Sequence, residues 1–361
     1  MKRKIMCFLL SVVLTASLCS MAVPAAEDVI TITTPAQLNS IRDNLSGHYK
    51  LGADIVFQAS DFEKGGDFYN NGEGFVPIAA ENDYVYFTGT FDGQGYSIKG
   101  LKIAIDCDDT NALVYLGLFG RNKGEIRNLK LEDVDFSMQA SKPDEVQMQD
   151  VHVGGIAAQN MGTISSCGVS GNIRAVVNGK IKINAGGIAA HNGAEIQDCF
   201  NTASVSGSGD QESLINVGGI VGYAAANHVT TESVVERCYN VGAVSASTLA
   251  DEKKYLHAGG VVGYNYGAVR GCYYLDNAEH GIDYDTAANQ PIKITAAQLL
   301  QQQTFADFDF KVIWEMGTNG PTLKIFKTHI QHEHTWDAGT VTKKATCTEK
   351  GDKLFTCSVC Q

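Results

Sequence analysis

The strongest constraint on this chain is a block that recurs four times in its middle: Val153-Gly154-Gly155-Ile156-Ala157-Ala158, Ala185-Gly186-Gly187-Ile188-Ala189-Ala190, Val217-Gly218-Gly219-Ile220-Val221-Gly222 and Ala258-Gly259-Gly260-Val261-Val262-Gly263. A degenerate earlier copy is Leu116-Gly117-Leu118-Phe119-Gly120. The second Gly falls at 117, 155, 187, 219 and 260, giving spacings of 38, 32, 32 and 41 residues. A period in this range marks a stacked array, in which no unit buries its apolar side alone.

Each unit carries further matching positions. Asn122, Asn160, Asn192 and Asn265 stand five residues after the second Gly, and Ile126, Ile164, Ile196 and Val269 nine after it. Cys167, Cys199 and Cys272 stand twelve after it; the unit of Gly219 has about seven extra residues before Val235 and Cys238 resume the series. The stretch ahead of each pair alternates apolar and polar, as in Val151-His152-Val153 and Ile215-Asn216-Val217, which is the pattern of a strand with one face inside. No unit holds a helical apolar period. The spacing therefore predicts an all-β parallel β-helix, with ladders of Ile/Val, Asn and Cys and with Asn and Gly at the turns, since both tolerate positive φ. A β-sandwich is the rival, but sandwich strands need not keep register over 32-residue units. Two readings stay open for the Cys column: disulfides between adjacent coils, or buried thiols acting as small hydrophobes, because parallel side chains lack the Cβ geometry of a bridge.

These blocks resemble the GLUG-motif repeats of bacterial secreted and surface proteins. The likeness includes Tyr49-Lys50-Leu51-Gly52-Ala53-Asp54-Ile55, Phe75-Val76-Pro77-Ile78 and the run from Phe87 to Leu101, which resemble the family's opening coils. Phe308-Asp309-Phe310 with Trp314 and Pro321-Thr322-Leu323 resembles its closing segment. The resemblance spans roughly residues 30 to 326 and implies a parallel β-helix, right-handed by family expectation. It implies no established activity: such repeats occur in adhesin-like proteins and as non-catalytic portions of IgA1-type metallopeptidases.

The chain divides into five expected parts. Residues 1–26 read as a secretory signal peptide: Lys2, Arg3 and Lys4 precede the apolar run Ile5 to Val23, and Val23-Pro24-Ala25 offers a cleavage site. Residues 27–115 form an N-terminal cap and opening coils, 116–290 the repeats, 291–328 a closing segment and 329–361 a Cys/His tail. Thr34-Pro35-Ala36-Gln37 reads as a capping box before Leu38, Ile41 and Leu45, a short helix that would cover the first coil. Thr295-Ala296-Ala297-Gln298, followed by Leu299 and Leu300, would plug the far end in the same way. In the tail, Cys357-Ser358-Val359-Cys360 has metal-knuckle spacing, and His334, Cys347, Cys357 and Cys360 are a candidate tetrahedral zinc set, with disulfides or free thiols as alternatives. The tail also resembles a Cys-bearing module of clostridial surface proteins, in which more residues follow the last Cys.

The 28 Lys and Arg against 40 Asp and Glu give a net charge of −12, which argues against a nucleic-acid partner. After the leader no apolar stretch is long enough to span a bilayer. His332-Glu333-His334-Thr335-Trp336 begins like a zincin helix, but Trp336 stands where the second His is needed. No nucleophile elbow and no phosphate loop appear. Asp276, Glu279, Asp283 and Asp285 form an acidic stretch around His280 without fixed cation-ligand spacing. Aromatic columns are the remaining candidates: Tyr223 and Tyr264 share one repeat position beside Tyr266, and Tyr239 and Tyr273 share another beside Tyr274. Tyr223, Tyr264, Tyr266, Tyr273 and Tyr274 could lie against sugar rings, or could pack between coils. The expected function is an exported, non-enzymatic, adhesin-like scaffold for a host or microbial glycan or an extracellular protein. A β-helix polysaccharide lyase or hydrolase, and a non-catalytic spacer of a larger surface protein, are the alternatives.

Overall fold

The computed structural model describes residues 28–82, 84–107, 114–142, 149–210, 213–226, 232–248, 255–286, 290–329, 337–344 and 351–355. The leader and all four candidate zinc ligands, His334, Cys347, Cys357 and Cys360, lie outside them. The protein is all-β, and its three large sheets are built from parallel strands.

The first sheet stacks Val29–Ile32, His48–Leu51, Thr90–Asp92, Glu125–Arg127, Thr163–Ser165, Glu195–Gln197, Val234–Glu236 and Ala268–Arg270 in chain order. Successive repeats pair in register, so Phe91, Ile126, Ile164, Ile196, Val235 and Val269 form one column of buried side chains. The second sheet holds the longest strands, Lys130–Lys142 and Gly168–Gly179, together with Phe200–Asn201, Tyr239–Asn240 and Tyr273–Leu275. The third sheet contains the segments before and after each Gly pair. Its path doubles back at Leu256–Asn265, a strand that runs unbroken where Leu214–Gly218 and Val221–Ala224 are separate.

The Gly pairs are explained by close approach. A Cβ on Gly155 would lie 2.2 Å from the Gly187 carbonyl oxygen, and one on Gly187 or Gly219 would meet the next repeat's Gly oxygen at the same distance. With those hydrogens in place the backbones bond directly: Ile156 N to Ile188 O at 2.9 Å, Ile188 N to Ile220 O at 3.0 Å and Ile220 N to Val261 O at 2.9 Å. The Asn column satisfies the turn that follows. Asn160 Oδ1 accepts from Gly162 N (3.3 Å), while its Nδ2 donates to Gly162 O (3.1 Å) and to Asn192 Oδ1 (2.8 Å). Asn122 Nδ2 donates to Asn160 Oδ1 in the same way (2.8 Å). Buried amides that stack with every polar atom used hold the register without leaving an unpaired group.

The Cys column is buried and free of bridges: Cys167, Cys199, Cys238 and Cys272 are all reduced. Each Sγ donates to the carbonyl two residues earlier, at 3.2, 3.1, 3.2 and 3.3 Å respectively. Burial pushes the Cys199 and Cys272 thiols up, away from the reactive thiolate.

At the N-terminal end, Thr34 Oγ1 accepts from Gln37 N (3.2 Å) and caps the helix Pro35–Asn39. Leu38 and Ile41 are fully buried beneath it. Gln37 Oε1 takes Thr33 N (2.8 Å), one residue before the expected cap. The second helix, Ala296–Leu299, has the full capping box at Thr295 and Gln298 but buries none of its residues. Leu299 packs part-buried against a second apolar cluster. Leu300 is exposed, and the chain beyond it lies along the second sheet, where Phe305, Phe308, Trp314 and Leu323 cover Phe200, Tyr239 and Tyr273 in that cluster. The boundary expected between 115 and 116 falls inside the strand Val114–Leu116. Among the described residues no helix is long and apolar enough to cross a membrane. The described part of the tail is an antiparallel pair, Thr340–Lys343 with Asp352–Leu354.

Candidate functional site: an aromatic corner of the third sheet

Before each Gly pair, Val151 and Val153 enter the core, which leaves His152 on the other side of its strand. Register places Tyr115, His152, Asn184, Asn216 and His257 in one column. After the bend, Arg121, Gln159, His191, Tyr223, Tyr264 and Tyr284 form a second. The bend turns the two columns toward each other. The His152 and His191 rings are 5.9 Å apart, those of His257 and Tyr264 4.9 Å, and Lys182 Nζ sits 4.5 Å from the Tyr223 ring centre.

The rings make a continuous file. Centroid distances from Tyr115 through His152, His191, Tyr223 and Tyr264 to Tyr284 are 5.3, 5.9, 5.2, 5.7 and 4.1 Å. Accessibility rises along it. Tyr115, Arg121, His152 and Gln159 are buried, Tyr223, Tyr264 and His257 are half-buried, and Tyr266 and Tyr284 are 48% and 39% exposed. At the open end the Tyr264 and Tyr266 hydroxyls are 2.9 Å apart, and His257 Nδ1 meets Asp283 Oδ2 at 2.9 Å. The hydrogen bond to Tyr266, with burial and Tyr284, pushes the Tyr264 phenol up.

The two inner imidazoles are held neutral. Burial lowers His152 well below 6.5, and the neighbouring His191, Lys182 and Arg121 add to the effect. Burial likewise lowers His191 to about 4, helped by Lys182. Gln159 Nε2 lies 3.2 Å from His191 Nδ1, so that nitrogen accepts from the amide. The corner thus offers aromatic faces, phenols, amides and neutral imidazoles, a set suited to stacking and hydrogen bonding.

Of the five tyrosines expected from the repeats, the structure brings Tyr223, Tyr264 and Tyr266 to this corner. It does not bring Tyr273 or Tyr274 there. Tyr273 is fully buried against Phe305 (4.9 Å) with its hydroxyl on Asp307 Oδ2 (3.0 Å), and Tyr274 is 5% exposed in the main core. Both belong to the second sheet, whose aromatic column the closing segment covers. Tyr284, His257 and Tyr115 join the site without having been singled out. His257 occupied a visible alternating position, whereas Tyr284 lies in a strand with no Gly pair to index it. The acidic stretch is dispersed: Asp276 pairs Lys293 (3.0 Å), Glu279 pairs His280 (3.6 Å) and Asp285 takes Asn265 Nδ2 (2.8 Å). Among the described residues no group of three or more His, Cys, Asp or Glu side chains could hold a metal ion.

The fold and corner define an all-β protein of register-stacked parallel repeats with a file of aromatic rings at the corner of its third sheet. No family model matches the chain. Over 157 residues, 41% of the chain, it is 31% identical to halomucin of Haloquadratum walsbyi, and the match spans only 2% of that protein's length. A crystal structure of a candidate immunoglobulin A1 protease from Bacteroides ovatus superposes with a TM-score of 0.55, covering 82% of this chain and 92% of that one at 20% identity. A likeness at that identity is one of fold.

Proposed function

We propose that the chain is a parallel β-helix of GLUG-type repeats, exported by its leader, that presents the third-sheet corner as an adhesin-like surface for a glycan or an extracellular protein. The observation that carries this reading is the cluster of Tyr264, Tyr266 and Tyr284, with ring centres 4.1 to 6.2 Å apart, at the accessible end of the file. Aromatic rings partly open to solvent on a rigid strand platform lose little entropy on contact and suit sugar rings or apolar side chains. The stacked scaffold spaces such contacts along its length, so weak ones add.

The test is a glycan and extracellular-matrix array probed with the purified chain. Binding should appear, and Tyr264→Ala should weaken it by about tenfold or more, as for a central aromatic contact. Absence of binding, full retention in Tyr264→Ala, or depolymerisation of a polysaccharide by the chain would each overturn the reading.

A further inference from the structure

The corner is not electrically uniform. At its closed end Arg121 is 5% exposed, and its guanidinium lies 3.8 Å from the Tyr86 ring centre and 4.9 Å from that of Tyr115. Its hydrogen bonds go to Gln159 Oε1 (2.8 Å), to the Asn82 carbonyl (3.3 Å) and to the Tyr86 hydroxyl, all of them neutral groups. Lys123, which is exposed, holds its ammonium 3.8 Å from the same Tyr86 ring. Among the described residues no carboxylate pairs with either cation, as none does with Arg42 or Lys324, whose bonds go to amide and backbone oxygens. A third cation, Lys182, reaches Tyr223 and has one carboxylate partner, Asp150, at 3.4 Å. In a chain of net charge −12, Arg121 and Lys123 gather two cations at one end of the aromatic file, while Asp150 and Asp283 sit beside Lys182 and His257 further along it. Burial chiefly depresses His152 and His191, and Lys182 and Arg121 add to it.

The geometry of the file limits what can fill it. Its accessible rings, Tyr223, Tyr264 and Tyr284, follow one another at 5.7 and 4.1 Å, on either side of the roughly 4.8 Å rise between stacked strands. One pyranose unit of an extended β-linked polysaccharide advances by a similar length, so such a chain can keep step with the windings.

We infer that the corner binds an extended acidic polysaccharide, with pyranose rings against Tyr223, Tyr264 and Tyr284 and uronate carboxylates directed toward Lys123 and Lys182. This rests on the binding reading above and narrows it to one ligand class. Lys123 supplies the accessible charge. Arg121, buried and sandwiched, is a positioning residue that fixes Tyr86 and adds to the local potential.

The probes are a β-1,4-linked glucuronate hexamer and cellohexaose, which share a backbone and differ in the carboxylate at C6. Titration calorimetry with the purified chain should give at least about fivefold tighter binding of the acidic hexamer in low salt, an advantage that shrinks as salt rises. Lys123→Gln should remove most of that advantage, while Tyr264→Ala should weaken binding of both hexamers. Equal affinity for the two hexamers, preference for cellohexaose, or an advantage that persists in Lys123→Gln would overturn the inference. So would tighter binding of oligodeoxythymidylate than of the glucuronate. If neither hexamer binds while an array ligand does, the inference falls and the broader binding reading stands.

Discussion

At the scale of single residues, His152 and His191 are the groups most sensitive to their surroundings. Both are neutral in the folded chain because burial, with Lys182 and Arg121 nearby, disfavours the imidazolium. An unfolded chain has no such penalty and takes up protons near pH 6.5. The unfolded state therefore binds more protons between pH 6.5 and about 4, and stability falls as pH drops through that window. For His191 alone, a displacement from 6.5 to about 4 corresponds to roughly 3 kcal/mol at about 1.36 kcal/mol per unit. Carboxylates act lower down. Burial opposes ionisation of Asp92, but hydrogen bonds from Asn128 and Arg127 leave its carboxyl below 3.8, so its contribution is lost only below about that pH. Urea midpoints measured from pH 7 to pH 4 should fall steadily for the native chain. His191→Gln should flatten that slope above pH 4.5, and an unchanged slope would rule out His191 as its cause. Sequence could reveal His152 as the polar member of an alternating triplet; it could not reveal that the polar side faces a second, aromatic interior instead of water, because that depends on the angle of the Gly bend.

At the scale of elements, the turn ahead of the Cys column is the least expected feature. Asn128, Ser166, Asp198 and Arg237 have φ of 55°, 51° to 52° and 51°, and Gly271 continues the column at 55°. All five occupy the left-handed region at one repeat position. Asn128 and Gly271 announce such a conformation, whereas Ser166 and Arg237 do not, since left-handed backbone costs an L-residue about 1–2 kcal/mol. Stacking imposes it. Once Ile126, Ile164 and Ile196 pair in register, each turn must follow the path of the one beneath. The repeats, the Gly bends and the Ile, Asn and Cys columns were therefore legible as periodicities, while turn conformation was inherited from neighbours and left little local trace. Ser166→Gly should raise stability by up to about 1 kcal/mol, because glycine relieves the strain. Ser165→Gly, one residue earlier in the strand Thr163–Ser165, should lower it by about 0.5–1 kcal/mol. Thermal unfolding of both variants decides the matter; a destabilised Ser166→Gly would mean the turn carries no strain.

At the scale of the whole molecule, the closing segment makes the longest-range connection. A stacked array gives each winding contact only with its neighbours, so stability is a sum of local interfaces. Trp314 departs from that pattern: it is fully buried, stacks on Phe308 at 4.4 Å, and its Nε1 donates to Asp198 Oδ1 at 3.1 Å across 116 residues of sequence. Asp198 simultaneously accepts from Arg237 Nε and Nη2, both at 3.0 Å, so one buried carboxylate joins two repeats and the closing segment. The same contact explains why the aromatic column of Phe200, Tyr239 and Tyr273 became interior: its repeat position resembles that of Tyr223 and Tyr264, and only a segment far along the chain distinguishes the two. Trp314→Ala removes a large buried ring and one hydrogen bond, a loss of about 3–5 kcal/mol. Because each parallel repeat pairs with the next in the three sheets, that loss should stay local. Hydrogen exchange should show protection falling at Tyr239 and Tyr273, beneath the segment, while the amides of Ile126 and Ile164 keep theirs. Uniform loss of protection along the column would instead make the array a single cooperative unit, and the closing segment a determinant of the whole fold rather than of its last windings.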